Sequence, residues 1–543
     1  MGLTGFHRHF APAISQGFQL LDADWITQRT HRHMKHGTKH STNGKKQGTE
    51  SLPPIVLVPG VQGTQLYTKE GKKIWASTRQ VLNLESTRLD LPLEWDTVDD
   101  DPEDPYQHRQ FRQKSDGIVA GDILMHVARV PIYKRFIKRC KKEGRKFYPF
   151  LYDWRRDLNE AAHNLILLLK RVYSECGRPA QVVGHSNGGL IVYAALNDPE
   201  NTYLFDSTLF VGTPFSPMID FLEFMHVGVP TGLNKEMLDQ YVIASFCSAA
   251  VFYPFPEERN VYTYKPLGEE QDPAKHVVPQ HDGEQKCISE EKFKQDWWFL
   301  EPYPVNFYDP SQWEKLKIGI YSLEWEKFPW KVPPGTVDIQ AALRTHQSCT
   351  MYQAAHFWMR LTYNPEVKYP PMALVYTQGI PTLSRVLYNG PHAVRGFDLK
   401  SLPKGDGDGR VPVVNAKNIP SGTPHLIYQS HIEHIFMMND PNLWGVMDKL
   451  AAFQGDRNWH QRVDNLQRLQ PTEKHMGALL RIRAAHNSIK LLLHSKIEAP
   501  LRLKHQESHL KEQHPDARSE HHHHHHIFHR HHSTEQPTTS TPL

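Results

Sequence analysis

Ala180-Gln181-Val182-Val183-Gly184-His185-Ser186-Asn187-Gly188-Gly189-Leu190-Ile191-Val192 is the stretch whose reading decides the fold. Its first six residues, with Val182 and Val183 at their centre, read as a short apolar strand. Leu190 to Leu196 then continues as an apolar helical segment. Between the two lies Gly184-His185-Ser186-Asn187-Gly188, a Gly-x-Ser-x-Gly pattern. Small residues flank the serine because a chain that passes directly from strand to helix turns sharply and leaves no room for side chains. Such a turn presents the Ser186 hydroxyl at a helix N-terminus, where backbone N–H groups and the helix dipole stabilise a developing negative charge.

Outward from this elbow, strands and helices alternate. Pro53-Pro54-Ile55-Val56-Leu57-Val58-Pro59-Gly60 reads as a buried strand stopped by Pro-Gly. Asn159 to Tyr173 places Ala162, Leu165, Leu168, Leu169 and Val172 on one helical face. Ser207 to Gly212 and Met372 to Tyr376 are further strands, and Trp444 to Phe453 is a further helix. The alternation predicts an α/β fold: a mainly parallel sheet with helices on both faces. Residues 216–365 interrupt the rhythm and read as an inserted cap, with Trp297, Trp298, Phe299, Tyr303, Phe307, Tyr308 and Trp313 packing a small subdomain and an amphipathic helix over Gln340 to Leu361. The organisation expected is therefore a disordered basic arm (1–50), the first part of the core (51–215), the cap (216–365), the second part of the core (366–455), a C-terminal helical extension (456–512) and a His-rich disordered tail (513–543).

A serine hydroxyl is a poor nucleophile and needs a base, itself oriented by an acid; in this fold class acid and base follow the serine in that order. The acid is sought in Lys404-Gly405-Asp406-Gly407-Asp408-Gly409-Arg410-Val411-Pro412, where Asp408 is preferred and Asp406 is the alternative. The base is sought in Ser430-His431-Ile432-Glu433-His434-Ile435-Phe436; His434, followed by an apolar run, is preferred and His431 is the alternative. Backbone N–H groups of Val61, in the Gly60-Val61-Gln62-Gly63 loop, and of Asn187 are the candidate oxyanion donors. The acidic loop lacks the Glu a calcium loop needs at its twelfth position, and the two histidines have no third ligand at helical spacing, so neither a metal nor a cofactor is expected.

Composition narrows the function further. The chain has 543 residues and a formal charge of +4, and residues 1–50, with seven Lys/Arg against three acidic residues, account for all of it. A neutral body offers no electrostatic case for nucleic acid. Five scattered cysteines with no Cys-x-x-Cys pair, no export signal, no Asn-x-Ser/Thr site and no run of 18 apolar residues lead to the expectation of an intracellular chain, cytoplasmic or peripheral to a membrane. The histidine run at 521–526 is read as part of an unstructured tail rather than a metal site.

Several of these stretches together resemble the lecithin:cholesterol acyltransferase-like family of α/β-hydrolases, over about residues 53–455. Ile55 to Gly60 with Gly63 and Leu66 looks like its first strand and oxyanion loop, Tyr152-Asp153-Trp154-Arg155-Arg156 is similar to its Tyr-Asp-Trp-Arg signature, and Gly184 to Gly188 to its elbow. Gly212-Thr213-Pro214-Phe215 and Gly405 to Pro412 resemble its next strand end and its acid loop. The resemblance implies a serine-dependent acyltransferase or phospholipase acting on glycerolipid or sterol-type esters through an acyl-serine intermediate. Ser186 attacks, His434 shuttles the proton, Asp408 fixes the imidazole, and a lid covers the site from about 68 to 118. Secreted members carry a disulfide in the lid; this stretch has no Cys, a departure that bears on secretion and lipoprotein partners and not on the chemistry. The expected partner is a lipid substrate, at a membrane surface, with no obligate protein partner. A non-catalytic lipid-binding protein of the same fold and a soluble carboxylesterase or thioesterase are the alternatives.

Overall fold

The computed structural model describes residues 52–453 apart from 86, 98–110, 128–129, 230, 232, 256–258, 267–286, 323 and 421–425. The basic arm, the C-terminal extension and the His-rich tail read from the sequence lie outside the described residues.

Six strands build the central sheet: β1 (Ile55–Val58), β2 (Phe147–Pro149), β3 (Ala180–His185), β4 (Phe205–Val211), β5 (Met372–Thr377) and β6 (Leu426–Ser430). Their spatial order is β2-β1-β3-β4-β5-β6, and every neighbouring pair is parallel. The fold is that of an α/β-hydrolase. Five helices matter for the site: α1 (Lys134–Lys142), α2 (Leu158–Cys176), α3 (Asn187–Leu196), α4 (Ile339–Arg360) and α5 (Leu443–Phe453).

Every residue of β1, β3, β4 and β5 is buried, which is why these strands read as continuous apolar runs rather than alternating ones. The period of two still sorts them by face. Ile55, Leu57, Val183, Leu209, Val211, Ala373 and Val375 share one cluster with Phe136 and Ile137 of α1 and Leu443, Met447 and Leu450 of α5. On the opposite face α2 and α3 pack against each other, with α3 against β1, β3 and β4. Asp157 caps the start of α2 by accepting the Asn159 N–H, and Gly177 at φ 67° ends it.

The strand order reverses at β1, which has a later strand on one side and β3 on the other. At such a switch point the loops leaving the carboxyl ends of neighbouring strands diverge to opposite faces and open a crevice. The turn after β1 and the elbow after β3 both emerge there.

β4 and β5 are sheet neighbours, so residues 212–371 form an insertion between adjacent strands. Two features depart from the sequence reading. The small antiparallel and parallel sheet of the insertion has the order 300–302, 261–264, 386–388, 397–398, so it takes two strands from beyond residue 365, within what the sequence assigned to the core. And α4 is not amphipathic where it matters: every residue from His346 to Trp358 is buried. Some of its polar side chains find partners, as His346 does by accepting the Trp95 indole N–H at 3.1 Å and donating to the Ala244 carbonyl at 3.0 Å.

Candidate active site

β3 delivers Ser186 into a backbone conformation that an L-residue rarely adopts, φ 55° and ψ −130°. The Ser186 N–H donates to Val211 O at 2.8 Å, stitching the elbow to β4. The glycines around it are there for space. A Cβ on Gly188 would sit 2.2 Å from Val58 O, and one on Gly184 2.5 Å from the Gly189 Cα. The strand-to-helix turn is possible only because three backbones approach this closely. Strain of this kind, at the start of α3, leaves the hydroxyl pointing outward from the sheet edge.

The acid loop follows a small hairpin in which Ile380–Thr382 pairs antiparallel with Gly405–Gly407. Asp408 comes next and is 2% exposed. Its Oδ1 accepts the Arg410 and Val411 N–H groups at 2.9 and 2.6 Å, a turn that Gly409 closes at φ 94°. Its Oδ2 lies 2.8 Å from His434 Nδ1. His434 opens a short 3₁₀-helix, His434–Asn439, just after β6, and its Nε2 lies 2.8 Å from Ser186 Oγ. A carboxylate only accepts, so Nδ1 carries the proton and Nε2 is left to accept from the serine. Gly212 makes room for this ring: a Cβ there would meet His434 Nδ1 at 3.1 Å. Of the paired alternatives, Asp406 and His431 are exposed; it is Asp408 and His434 that the fold turns toward Ser186.

The turn after β1 is tight, with Gly63 N–H donating to Gly60 O at 3.0 Å and Gln62 at φ 64°. A Cβ on Gly60 would lie 2.8 Å from the Ser186 Cβ, so the turn and Ser186 are in direct contact. Among the described residues, neither the Val61 N–H nor the Asn187 N–H has a protein acceptor. The Asn187 amide is one of the free donors that begin any helix. Both flank the serine from the positions the sequence assigned to oxyanion donors.

Sequence reasoning missed two participants. His185, the residue inside the Gly-x-Ser-x-Gly pattern, is 4% exposed, and Tyr133, at the start of α1, is 1% exposed. The Tyr133 hydroxyl is 2.8 Å from His185 Nδ1 and accepts the Gly60 N–H at 3.1 Å, while His185 Nε2 lies 2.9 Å from the His434 carbonyl oxygen. Burial, aided by the nearby His434 imidazole, depresses the His185 pKa to about 3, so this ring is neutral. Nearby, burial raises the Asp220 carboxyl to about 6, with Arg410 opposing. Position within the motif marks His185 in the sequence, but Tyr133 sits in no motif at all.

Ser186 and His434 open into a cleft lined by Val61, Leu124, Val130, Ile132, Ile435 and Phe436. The lid expected over 68–118 does not form this lining: none of its described residues borders the cleft. They are tied to the body instead. Trp75 packs edge-on against Trp154 with centroids 5.4 Å apart, and the fully buried Arg155 holds Asp153, Asp116 and the Leu89 carbonyl. The Tyr-Asp-Trp-Arg stretch is thus a clamp on the 68–118 segment.

Residues 70–275 match the family model described as lecithin:cholesterol acyltransferase. That span is under half of the 543-residue chain. The matched span holds Tyr152 to Arg155 and Ser186 and ends before Asp408 and His434. The chain is also 25% identical over 394 residues to the uncharacterized protein YJR098C of Saccharomyces cerevisiae. That match covers 66% of this chain and 55% of the yeast protein, so the chain spans about half the length of that relative. Among solved structures it is similar to a chain of the Tle4–Tli4 complex, at 12% identity, 75% coverage of this chain, 98% of that one and a TM-score of 0.40. It is also similar to tomato methylketone synthase I complexed with 2-tridecanone, at 9% identity, 60% and 92% coverage and a TM-score of 0.23. Among the described residues, no helix is long and apolar enough to cross a membrane, and no group of three or more His, Cys, Asp or Glu side chains is arranged to hold a metal ion.

Proposed function

We propose that this chain is a serine-dependent acyl-transfer enzyme of lipids, with Ser186 as nucleophile, His434 as general base and acid, and Asp408 as the group that orients the imidazole. The single observation that carries the reading is the pair of hydrogen bonds in line through one imidazole, Ser186 Oγ to His434 Nε2 and His434 Nδ1 to Asp408 Oδ2, each 2.8 Å. The family match supports an enzyme of the lipid acyltransferase or esterase type.

In the first half-reaction the Ser186 hydroxyl proton passes to His434 Nε2 as Oγ bonds to the ester carbonyl carbon. Asp408 stabilises the imidazolium without taking its proton. The oxyanion that forms is met by the Val61 and Asn187 N–H groups and by the dipole of α3. The ester C–O bond then breaks, and the leaving alkoxide takes the proton from His434, leaving an acyl-serine. In the second half-reaction an acceptor hydroxyl, from water or an alcohol, gives its proton to His434 and attacks the acyl carbon; Ser186 leaves and recovers the proton. The apolar cleft walls suit an acyl chain, and a glycerolipid or sterol-type ester presented at a membrane surface is the substrate class proposed.

The test is to incubate the full chain with mixed lipid vesicles and with a fluorophosphonate. Acyl products identified by mass spectrometry, together with a covalent adduct on Ser186, are the expected result. A chain that neither reacts at Ser186 nor alters any ester lipid is a binding protein that has kept the fold, and the proposal ends there.

A further inference from the structure

We propose that His185 and Tyr133 are positioning residues that lock the Gly60–Gly63 turn and the His434 backbone to one another across the nucleophile. The inference rests on the reading of Ser186 as nucleophile, and it assigns a role to a hydrogen-bonded chain that the three-residue mechanism does not use.

Donor and acceptor roles along the chain follow from elementary bookkeeping. The His434 carbonyl can only accept, so His185 Nε2 carries the ring proton and donates to it at 2.9 Å. His185 Nδ1 is then an acceptor, and the Tyr133 O–H must donate to it at 2.8 Å. The hydroxyl oxygen retains a lone pair for the Gly60 N–H at 3.1 Å. The direction is fixed from end to end: Gly60 N–H to Tyr133 O, Tyr133 O–H to His185 Nδ1, His185 Nε2–H to His434 O. No link can be reversed.

Three segments of the site therefore meet on one imidazole. The elbow meets it covalently, because His185 precedes Ser186. The turn carrying Val61 meets it through Tyr133, and the His434 loop meets it through a backbone carbonyl. His434 is consequently gripped on both sides of its Cα, since its own N–H donates to Asp408 O at 3.0 Å while its carbonyl accepts from His185. The two histidine rings lie 5.3 Å apart at 32°. A ring that donates from one edge and accepts on the other is what the geometry demands. An apolar replacement leaves a buried hydroxyl and a carbonyl unmet, and a charged imidazolium has no acceptor to offer Tyr133.

A network that only filled the core would alter stability and leave the chemistry alone. The experiment therefore compares Tyr133→Phe, His185→Leu and His185→Gln with the wild-type full chain. It measures kcat and KM on a soluble ester, the rate of fluorophosphonate labelling and thermal stability by circular dichroism. Tyr133→Phe and His185→Leu are expected to lower kcat and the labelling rate about 10- to 100-fold, less than direct loss of an oxyanion donor, with KM changed by no more than about twofold. His185→Gln, which keeps an N–H toward His434 O, is expected to recover part of the loss, and it decides the matter if Tyr133→Phe does not fold. Folded variants that turn over and label at the wild-type rate, or that shift KM alone, overturn the inference while leaving the proposed function standing. A wild-type chain that never labels at Ser186 overturns the proposed function and this inference with it.

Discussion

His434 Nε2 lies 2.8 Å from Ser186 Oγ although 248 residues of chain separate them. The whole insertion between β4 and β5 is folded away between the two, and the parallel register of β3, β4, β5 and β6 brings their carboxyl ends to one rim. Removing the hydroxyl should leave this frame intact, because Ser186 holds its place through its backbone. Ser186→Ala is expected to abolish ester turnover and phosphonate labelling with an unchanged far-ultraviolet circular dichroism spectrum. Retained turnover would contradict the proposed function.

Asp408 and His434, the proposed acid and base, each have a neighbour of the same type, which provides an internal control. Asp408→Asn and His434→Ala should lower kcat about 10³- to 10⁴-fold, as loss of tautomer control or of the base does in serine hydrolases. Asp406→Asn and His431→Ala, on exposed side chains, should stay within about threefold of wild type by the small effect of surface substitutions. Steady-state kinetics of the four variants on one soluble ester distinguishes the pairs.

Two glycines at the elbow should fail in different ways. A Gly188→Ala methyl meets backbone, 2.2 Å from Val58 O and 2.6 Å from Pro59 O, and the overpacking is expected to cost about 3 kcal/mol or more of stability. A Gly60→Ala methyl meets Ser186 Cβ at 2.8 Å and Oγ at 3.3 Å, so it should displace the hydroxyl and depress kcat with a smaller loss of stability. Urea unfolding and kinetics on the same samples separate the two effects.

Arg155 is fully buried between Asp153 and Asp116, which are 9% and 7% exposed at their side chains. Arg155→Met removes the guanidinium that pairs with both carboxylates and leaves them desolvated, at a cost of about 3–5 kcal/mol. The expected signs are a lower urea midpoint and faster proteolysis within 68–118, since the same guanidinium also holds the Leu89 carbonyl.

Acid should destabilise the fold over a defined window. Burial lowers the pKa of His185 to about 3 and of His226 and His346 to about 4, from 6.5. Between pH 6.5 and 4 the unfolded chain takes up protons at these rings and the folded chain does not, so stability falls as pH falls. Each imidazole contributes up to about 1.4 kcal/mol per pH unit within that window. Asp220, raised by burial to about 6 against 3.8, acts in the opposite sense, because the folded state protonates first and gains stability as pH drops from 6 to 3.8. Burial also raises the carboxyls of Asp206, Asp239 and Asp448, but less far than that of Asp220, so the three imidazoles outweigh them and Tm by circular dichroism is expected to decrease from pH 6.5 to pH 4. A flat or rising Tm would refute the balance.

The sequence by itself determined the strand–elbow–helix at 180–196, the buried β1 and the position of Ser186, because each is written in a local signal: a run of β-branched residues, a helical period, glycines spaced for a turn. It also narrowed the acid to Asp406 or Asp408 and the base to His431 or His434, since chain order in this fold class bounds where each can lie. Only the tertiary structure decided which member of each pair faces Ser186. The choice depends on which side chain a hairpin and a short helix present to a rim built by other strands, and neighbours two or three residues apart look alike in composition. The Tyr133–His185 bridge, the strands beyond residue 365 that complete the insertion's sheet, and the burial of α4 are likewise non-local. Hydrogen bonds and sheet pairings between positions tens to hundreds of residues apart leave no period in the chain, so they become visible only when the segments have packed.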